Sequence, residues 1–182
     1  MNIWVALRGN IVAAMICAVV GPVAAQTTQL PERTTPRPET TSGVPHVQIG
    51  VEAVPELTED LLRRVNEIPD VEIRETVVSL PGAKGFWLAD NIPLERPEVI
   101  VGGREFAHVH PDGSLHASLD PKTARAAIDS GWAVAHPWSQ KRPGWEGFVM
   151  IFTPSSADEL EVVFQLVLGS YNYVTGRSLQ EQ

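Results

Sequence analysis

Three of the chain's five histidines fall within nine residues, at His108, His110 and His116. Histidine titrates near neutral pH and is the commonest metal ligand, so this segment is the first place to look for chemistry. Between them, Pro111-Asp112-Gly113 predicts a three-residue hairpin loop, because proline suits the first turn position and glycine supplies the positive φ that closes it. This register pairs His108 with His116 and His110 with Ser114, and all three imidazoles then project from one face.

A two-residue turn at Asp112-Gly113 would instead shift the pairing and send His116 to the opposite face. That arrangement would favour solvated histidines and a structural or interaction domain. Three co-facial histidines, with His136 further along the chain, favour proton transfer or a site for zinc, iron or copper. The candidate catalytic residues are His108, His110, His116 and His136, and the sequence does not identify a cofactor.

Tryptophans surround the fourth histidine in the sequence. Trp132 and Trp138 flank His136, and Trp145 follows. Aromatic rings beside candidate bases favour a flat substrate held by stacking, although burial in the core would explain them equally well. The candidate substrate-binding residues are Arg104, Ser114, Trp132 and Trp138.

Glu105 precedes the hairpin but is predicted to face away from the histidines. Counting in steps of two places it in line with Ala107 and Val109, unless Gly102-Gly103 or a bulge changes its direction. We therefore expect a surface charge or an ion pair at Glu105. His46, in a polar segment beside Pro45, is expected to be solvated.

The first 25 residues have the layout of a signal peptide. Arg8 precedes an apolar run from Ile11 to Val20, and Gly21-Pro22 leads to small residues before Gln26. The apolar run is shorter than the roughly 20 residues of a membrane span, so we expect cleavage, no stable membrane span and a periplasmic or secreted location.

The mature chain would contain no cysteine, because Cys17 lies in the leader. Disulfides, thiolate metal ligands and a cysteine nucleophile are therefore excluded. Removal of Arg8 leaves 13 basic and 22 acidic residues without a basic cluster, so nucleic acid is not an expected partner and a small-molecule substrate is.

Residues 26–50 are rich in threonine, proline and charge, and are predicted to be a disordered linker. Residues 51–177 then form one domain, and 178–182 a short tail. Helical periodicity over 57–68, β-rich runs over 71–80 and 85–88, a capped helix at 122–130, a strand at 147–153 and a final helix after Ser155 or Ser156 follow in order. This order predicts a single α+β domain, a mostly antiparallel sheet with two or three packed helices.

Three segments carry a resemblance to a known family: Arg104 to His116, Gly131 to Trp138, and Tyr171 to Arg177. Over roughly Val54 to Arg177 the chain resembles the luciferase-like domain family, which is named for the luciferase of bioluminescent fungi and has many bacterial members of unestablished function. The fungal enzyme oxidises a hydroxylated styrylpyrone with molecular oxygen, with loss of carbon dioxide and emission of light.

The resemblance implies the fold and the four-histidine site more firmly than it implies luminescence. We expect an exported oxygenase that acts on a small enolic or phenolic substrate. One histidine would remove the substrate's proton, and the others would hold an oxygen anion or a metal. The alternative is a non-catalytic module that binds a metal or small ligand with the same histidine face.

Overall fold

The computed structural model describes residues 30–180, and the predicted signal peptide lies outside this range. Within it, three helices and a six-stranded antiparallel sheet form one α+β domain, as the sequence predicts. The helices are α1 (Pro55–Asn66), α2 (Pro121–Asp129) and α3 (Ala157–Thr175). The strands are β1 (Val71–Glu75), β2 (Lys84–Leu88), β3 (Glu105–Val109), β4 (Leu115–Ser118), β5 (Ala133–Ala135) and β6 (Phe148–Ile151), in the spatial order β1-β2-β3-β4-β6-β5. None of these described helices is both long and apolar enough to cross a bilayer.

The predicted capping residues set the starts of α2 and α3. The Asp120 side chain accepts hydrogen bonds from the first turn of α2, and the Ser156 side chain accepts one from Glu159 N at the start of α3. Gly176 ends α3 in the left-handed region, with φ of 71°. Backbone N–H groups in the first turns of α2 and α3, which have no partner within the helix, are thus hydrogen-bonded by the Asp120 and Ser156 side chains.

The core lies on the face of the sheet that α3 covers. Helix α3 crosses β3 and β4, and its Tyr171 ring lies 6.0 Å from the ring of Phe106. Ala107, Val109 and Leu115 are buried in the same core. Because side chains alternate along a strand, the histidines between these residues must face the opposite side of the sheet.

The histidine hairpin has the predicted three-residue register. His108 pairs with His116, and Val109 pairs with Leu115. His110 N donates to Ser114 O across the loop, and Gly113 supplies the positive φ of 83°. The prediction that the hairpin's three imidazoles share one face is therefore confirmed.

A β-bulge at Phe106 interrupts β3 two residues before His108. Phe86 pairs with Ala107 while Trp87 pairs with Glu105, so Phe106 is an extra residue in β3. The extra residue reverses the alternation, and Glu105 joins the histidine face. The expectation that Glu105 faces away from the histidines is wrong for this reason.

The expected disordered linker is wrong for residues 30–50, which lie folded against the domain. We call residues 30–50 the strap. Gln48 Nε2 donates to Thr153 Oγ1 over 2.6 Å, and the Trp132 indole donates to Pro31 O over 2.6 Å. These polar contacts of the strap could not be predicted from its low apolar content.

A buried ion pair anchors the start of the strap. Arg33 Nη2 lies 3.2 Å from Glu159 Oε2, and the two side chains are only 3% and 8% exposed. Glu159 also accepts hydrogen bonds from Thr35 Oγ1 and Ser155 N. Burial alone would raise the pKa of Glu159, but the bonds from Thr35 and Ser155 and the charge of Arg33 lower it overall.

We expect Glu159→Gln to destabilise the domain and release the strap, because it leaves the Arg33 guanidinium buried without a counter-charge. The loss should be on the order of 3 kcal/mol in urea unfolding, with faster tryptic cleavage within the strap. Glu67→Gln removes one partner of an exposed ion pair with Arg63 and should cost less than about 0.5 kcal/mol. Equal losses in the two variants would contradict the anchoring role.

Candidate functional site

All five histidines of the chain gather in one buried cluster on the sheet face opposite α3. Each of them is 5% exposed or less. The histidine cluster comprises His46, His108, His110, His116 and His136. The hairpin supplies three members, the segment after β5 supplies the fourth, and the strap supplies His46.

His116 lies at the centre of the histidine cluster. Its ring centroid is 5.1 Å from that of His108, 4.7 Å from that of His110 and 4.6 Å from that of His136. His46 stacks on it at 5.3 Å. The predicted four-histidine group is therefore present, and the strap adds a fifth imidazole.

The histidine cluster forms the floor of a half-open cavity of about 320 Å³, which we call the histidine cavity. Its remaining walls are mainly apolar, and they comprise Val44, Pro45, Val78, Ser79, Leu80, Val101, Trp138 and Phe148. Polar nitrogens at the base of an apolar hollow are typical of small-molecule sites. Two larger surface hollows, near Arg125 and near Arg63, are rimmed by charged side chains and contain no histidine.

Glu105 is the carboxylate of the site. Its Oε1 lies 2.8 Å from His108 Nδ1, and its side chain also accepts bonds from Thr76 Oγ1 and Val77 N. Gly85 pairs with His108 and leaves space for the Glu105 carboxylate, because a Cβ at this position would lie 2.8 Å from Glu105 Oε2. Because an ionised carboxylate can only accept, Nδ1 of His108 carries the proton.

Hydrogen bonds also fix the tautomers of two further histidines. The Ser114 hydroxyl donates its one proton to Asp112 Oδ1 over 2.7 Å. Its oxygen therefore accepts the Nδ1–H of His110, which lies 3.1 Å away. Trp138 N donates to Nδ1 of His136 over 3.0 Å, which leaves the proton of that neutral imidazole on Nε2. His110 therefore has a free lone pair on Nε2, whereas His136 has an Nε2–H donor.

Burial favours the neutral form of four clustered imidazoles, those of His46, His110, His116 and His136. Burial, reinforced by His108, lowers the pKa of His110 to about 4. Burial and then the other histidines lower the pKa of His136 to about 3 and that of His116 well below its usual value. Burial also lowers the pKa of His46. Near neutral pH these rings thus act as hydrogen-bonding groups, bases or ligands without a positive charge.

Two overlapping groups of three histidines could hold a metal ion. One is His108, His110 and His116, and the other is His46, His116 and His136. In each group, one ligand nitrogen from each ring lies within 4.8 Å of the other two. His116 belongs to both groups.

The four predicted substrate-binding residues divide into two pairs. Trp138 lines the histidine cavity, and Ser114 contacts His110. Arg104 is instead bonded to the carbonyls of Leu88, Ala89 and Ile92, and Trp132 belongs to the apolar core beneath the strap. Neither Arg104 nor Trp132 lines the histidine cavity, and their polar groups bond to backbone carbonyls, so a substrate contact at these two residues stays a prediction.

Residues 103–170 match the model of a family described as the Luciferase domain. The match runs from the start of the hairpin into α3, so it includes the four histidines of the hairpin and β5 region but not His46 or the rest of the strap. A search of the curated proteins found no match. A search of the solved structures found none either.

We expect Gly85→Ala to disturb the site from the neighbouring strand. The new Cβ would lie 2.6 Å from Trp87 Nε1 and 2.8 Å from Glu105 Oε2, closer than such atoms approach. Thermal unfolding should show a loss of about 1–3 kcal/mol from this overpacking. Gly169→Ala, in α3 with nothing within 4 Å of the added carbon, should instead gain roughly 0.5–1 kcal/mol. A harmless Gly85→Ala would show that Glu105 needs no such space.

We expect the chelator-treated protein to lose stability as the pH falls from about 6.5 to 4.5. Unfolded histidines titrate near 6.5. The folded pKa of His110 is about 4, so over this range the unfolded chain binds more protons and acid favours unfolding.

His110 alone should contribute on the order of 2 kcal/mol to this loss, measured by urea unfolding at several pH values. His110→Gln should show a shallower dependence on pH than the unsubstituted protein. Stability that stays level or rises between pH 6.5 and 4.5 would contradict the burial of neutral imidazoles.

Proposed function

Since the chain contains a luciferase-like domain, we propose that it is an exported oxygenase acting on a small enolic or phenolic substrate in the histidine cavity. The observation that carries this proposal is the convergence of all five histidines on the floor of one apolar-walled cavity. The layout of residues 1–25 supports export to the periplasm or the medium.

The histidine cavity suits one flat ring with an ionisable oxygen. Its volume of about 320 Å³ lies at the lower end of the range for small-molecule sites. The Trp138 ring, 5.3 Å from that of His136, offers a stacking surface beside the imidazoles. A hydroxypyrone or a phenol would place its ring against the apolar wall and its oxygen at the nitrogens.

The proposed reaction uses molecular oxygen as the oxidant. An imidazole of the histidine cluster takes the proton of the substrate hydroxyl, and the resulting delocalised anion transfers electrons to dioxygen as a carbon–oxygen bond forms. The product is a peroxide anion on the substrate, which regains the same proton from the imidazolium. Overall, one substrate and one dioxygen give one hydroperoxide.

His136 is the residue suited to hold the developing oxygen anion. Trp138 N occupies its Nδ1, so its Nε2–H is available as a donor. A preorganised donor in an apolar site stabilises such an anion more strongly than water does. The alternative function, a module that only binds a ligand or metal, would require no oxygen consumption.

Oxygen uptake with a panel of hydroxypyrones and phenols tests the proposal, with light emission recorded in parallel. We expect uptake with at least one compound, reduced by roughly 10²-fold in His136→Phe, which fills the space but removes the donor. His136→Gln restores an N–H group and should recover part of the rate. Trp138→Ala should mainly raise KM.

Tyr173→Phe, outside the histidine cavity, is the control and should behave like the unsubstituted protein. No uptake with any compound, combined with tight binding of some of them, would favour the binding module. Equal rates in His136→Phe and Tyr173→Phe would reject the assigned role of His136.

A further inference from the structure

The hairpin histidines satisfy the requirements of a metal centre. We infer that His108, His110 and His116 form a binding site for one divalent first-row transition metal ion. The site is a property of the hairpin and its neighbours, and it stands whether or not the domain is an oxygenase.

Each of the three rings has a partner for its non-ligating nitrogen. His108 Nδ1 is bonded to Glu105 over 2.8 Å, and His110 Nδ1 is bonded to Ser114 over 3.1 Å. His116 Nε2 lies 3.2 Å from His46 Nδ1. Metal-binding histidines almost always direct their second nitrogen to a carboxylate or another polar group, which fixes the ring and strengthens the ligand.

The nitrogens that remain to bind an ion are Nε2 of His108, Nε2 of His110 and Nδ1 of His116. His108 Nε2 and His116 Nδ1 face each other at 3.1 Å. Two nitrogens that bind one tetrahedral ion at about 2.0–2.1 Å would lie about 3.3 Å apart, so this pair already has the spacing of two ligands.

The overlapping group of His46, His116 and His136 does not meet the same requirements. Trp138 N donates to Nδ1 of His136, so offering Nε2 to an ion would move the ring's proton to Nδ1, against a backbone N–H that cannot accept it, whereas the proton of His116 can move to Nε2 and be accepted by His46. His136 would have to break a backbone hydrogen bond to become a ligand. The contacts therefore select the hairpin group.

The number and type of ligands define the class of ion. Three neutral imidazoles suit zinc, iron, copper and nickel, and the absence of a thiolate among them argues against an ion that prefers sulfur. Three protein ligands leave at least one coordination position for a small molecule, the pattern of catalytic rather than structural sites. The histidine cavity lies directly over these rings and gives access to that position.

Metal binding by the full-length protein, made without a histidine tag and treated with EDTA, tests the site in the absence of any organic substrate. We expect one Zn²⁺ per chain by calorimetry, and one Co²⁺ with visible absorption bands of tetrahedral or five-coordinate geometry. His108→Ala and His110→Ala should each weaken binding by at least 100-fold. His136→Phe should still bind one ion.

Glu105→Gln separates a metal site from a simple histidine cluster, because it leaves all three ligands in place. We expect a 10- to 100-fold weaker affinity at unchanged stoichiometry. Glu98→Gln, an equal change of charge at an exposed side chain, should have no effect. Circular dichroism checks folding, and Glu105→Gln decides the question if an alanine variant fails to fold.

Absence of Zn²⁺ and Co²⁺ binding would overturn the inference. So would unchanged binding in His110→Ala together with its loss in His136→Phe, which would assign the ion to the other group. A negative oxygen-uptake result would leave this test unaffected, because the titration measures the ion alone.

Discussion

Five imidazoles can share one buried cavity only if positive charge does not accumulate there and if most of their ring nitrogens find partners. A second positive charge a few ångströms away in an apolar site would be strongly unfavourable, so burial and the neighbouring histidines lower the pKa values of His110, His116 and His136. The rest of the site follows from this constraint. Glu105, Ser114 and the backbone N–H of Trp138 each commit one nitrogen of one ring.

The same constraint explains the irregular parts of the fold. A regular β3 would turn Glu105 into the core, so the bulge at Phe106 is the feature that brings a carboxylate to His108. The absence of a side chain at Gly85 leaves that carboxylate its space. The buried pair of Arg33 and Glu159 fastens the start of the strap, which carries His46. The bulge at Phe106, the missing side chain at Gly85 and the Arg33–Glu159 ion pair thus complete the site.

Much of the fold could be predicted from the sequence, because helix caps, hydrophobic periodicity and turn residues act locally. The hairpin is the clearest case: Pro111, Asp112 and Gly113 determine the loop, and the loop determines which residues face His116. Glu105 and His46 could not be predicted. Gly102-Gly103 indicated an irregular start of β3 but not which side chains it would turn. His46 is positioned by Gln48 and Arg33, which contact residues more than a hundred positions away.

Trp132 and Arg104 stand out in the sequence for suitable chemistry near the motif, and the structure gives both a structural role. Both side chains bond to backbone carbonyls, and both stabilise segments that surround the site. Trp132 bonds to Pro31 of the strap and so helps to place His46 indirectly. Sequence proximity therefore identified residues that support the site without touching the cavity.

The hydrogen bonds of the histidine cluster also connect the proposed ion site to the strap. When His108 is neutral and donates from Nδ1 to Glu105, its Nε2 accepts, and in the absence of an ion His116 then donates to it from Nδ1. If that nitrogen bound an ion instead, the proton of His116 would move to Nε2 and be donated to Nδ1 of His46. The proton arrangement at His46 would therefore depend on the occupancy of the hairpin site. His46 is the one member of the histidine cluster that lies outside the family match. It is also the group through which the hairpin site and the strap would be coupled.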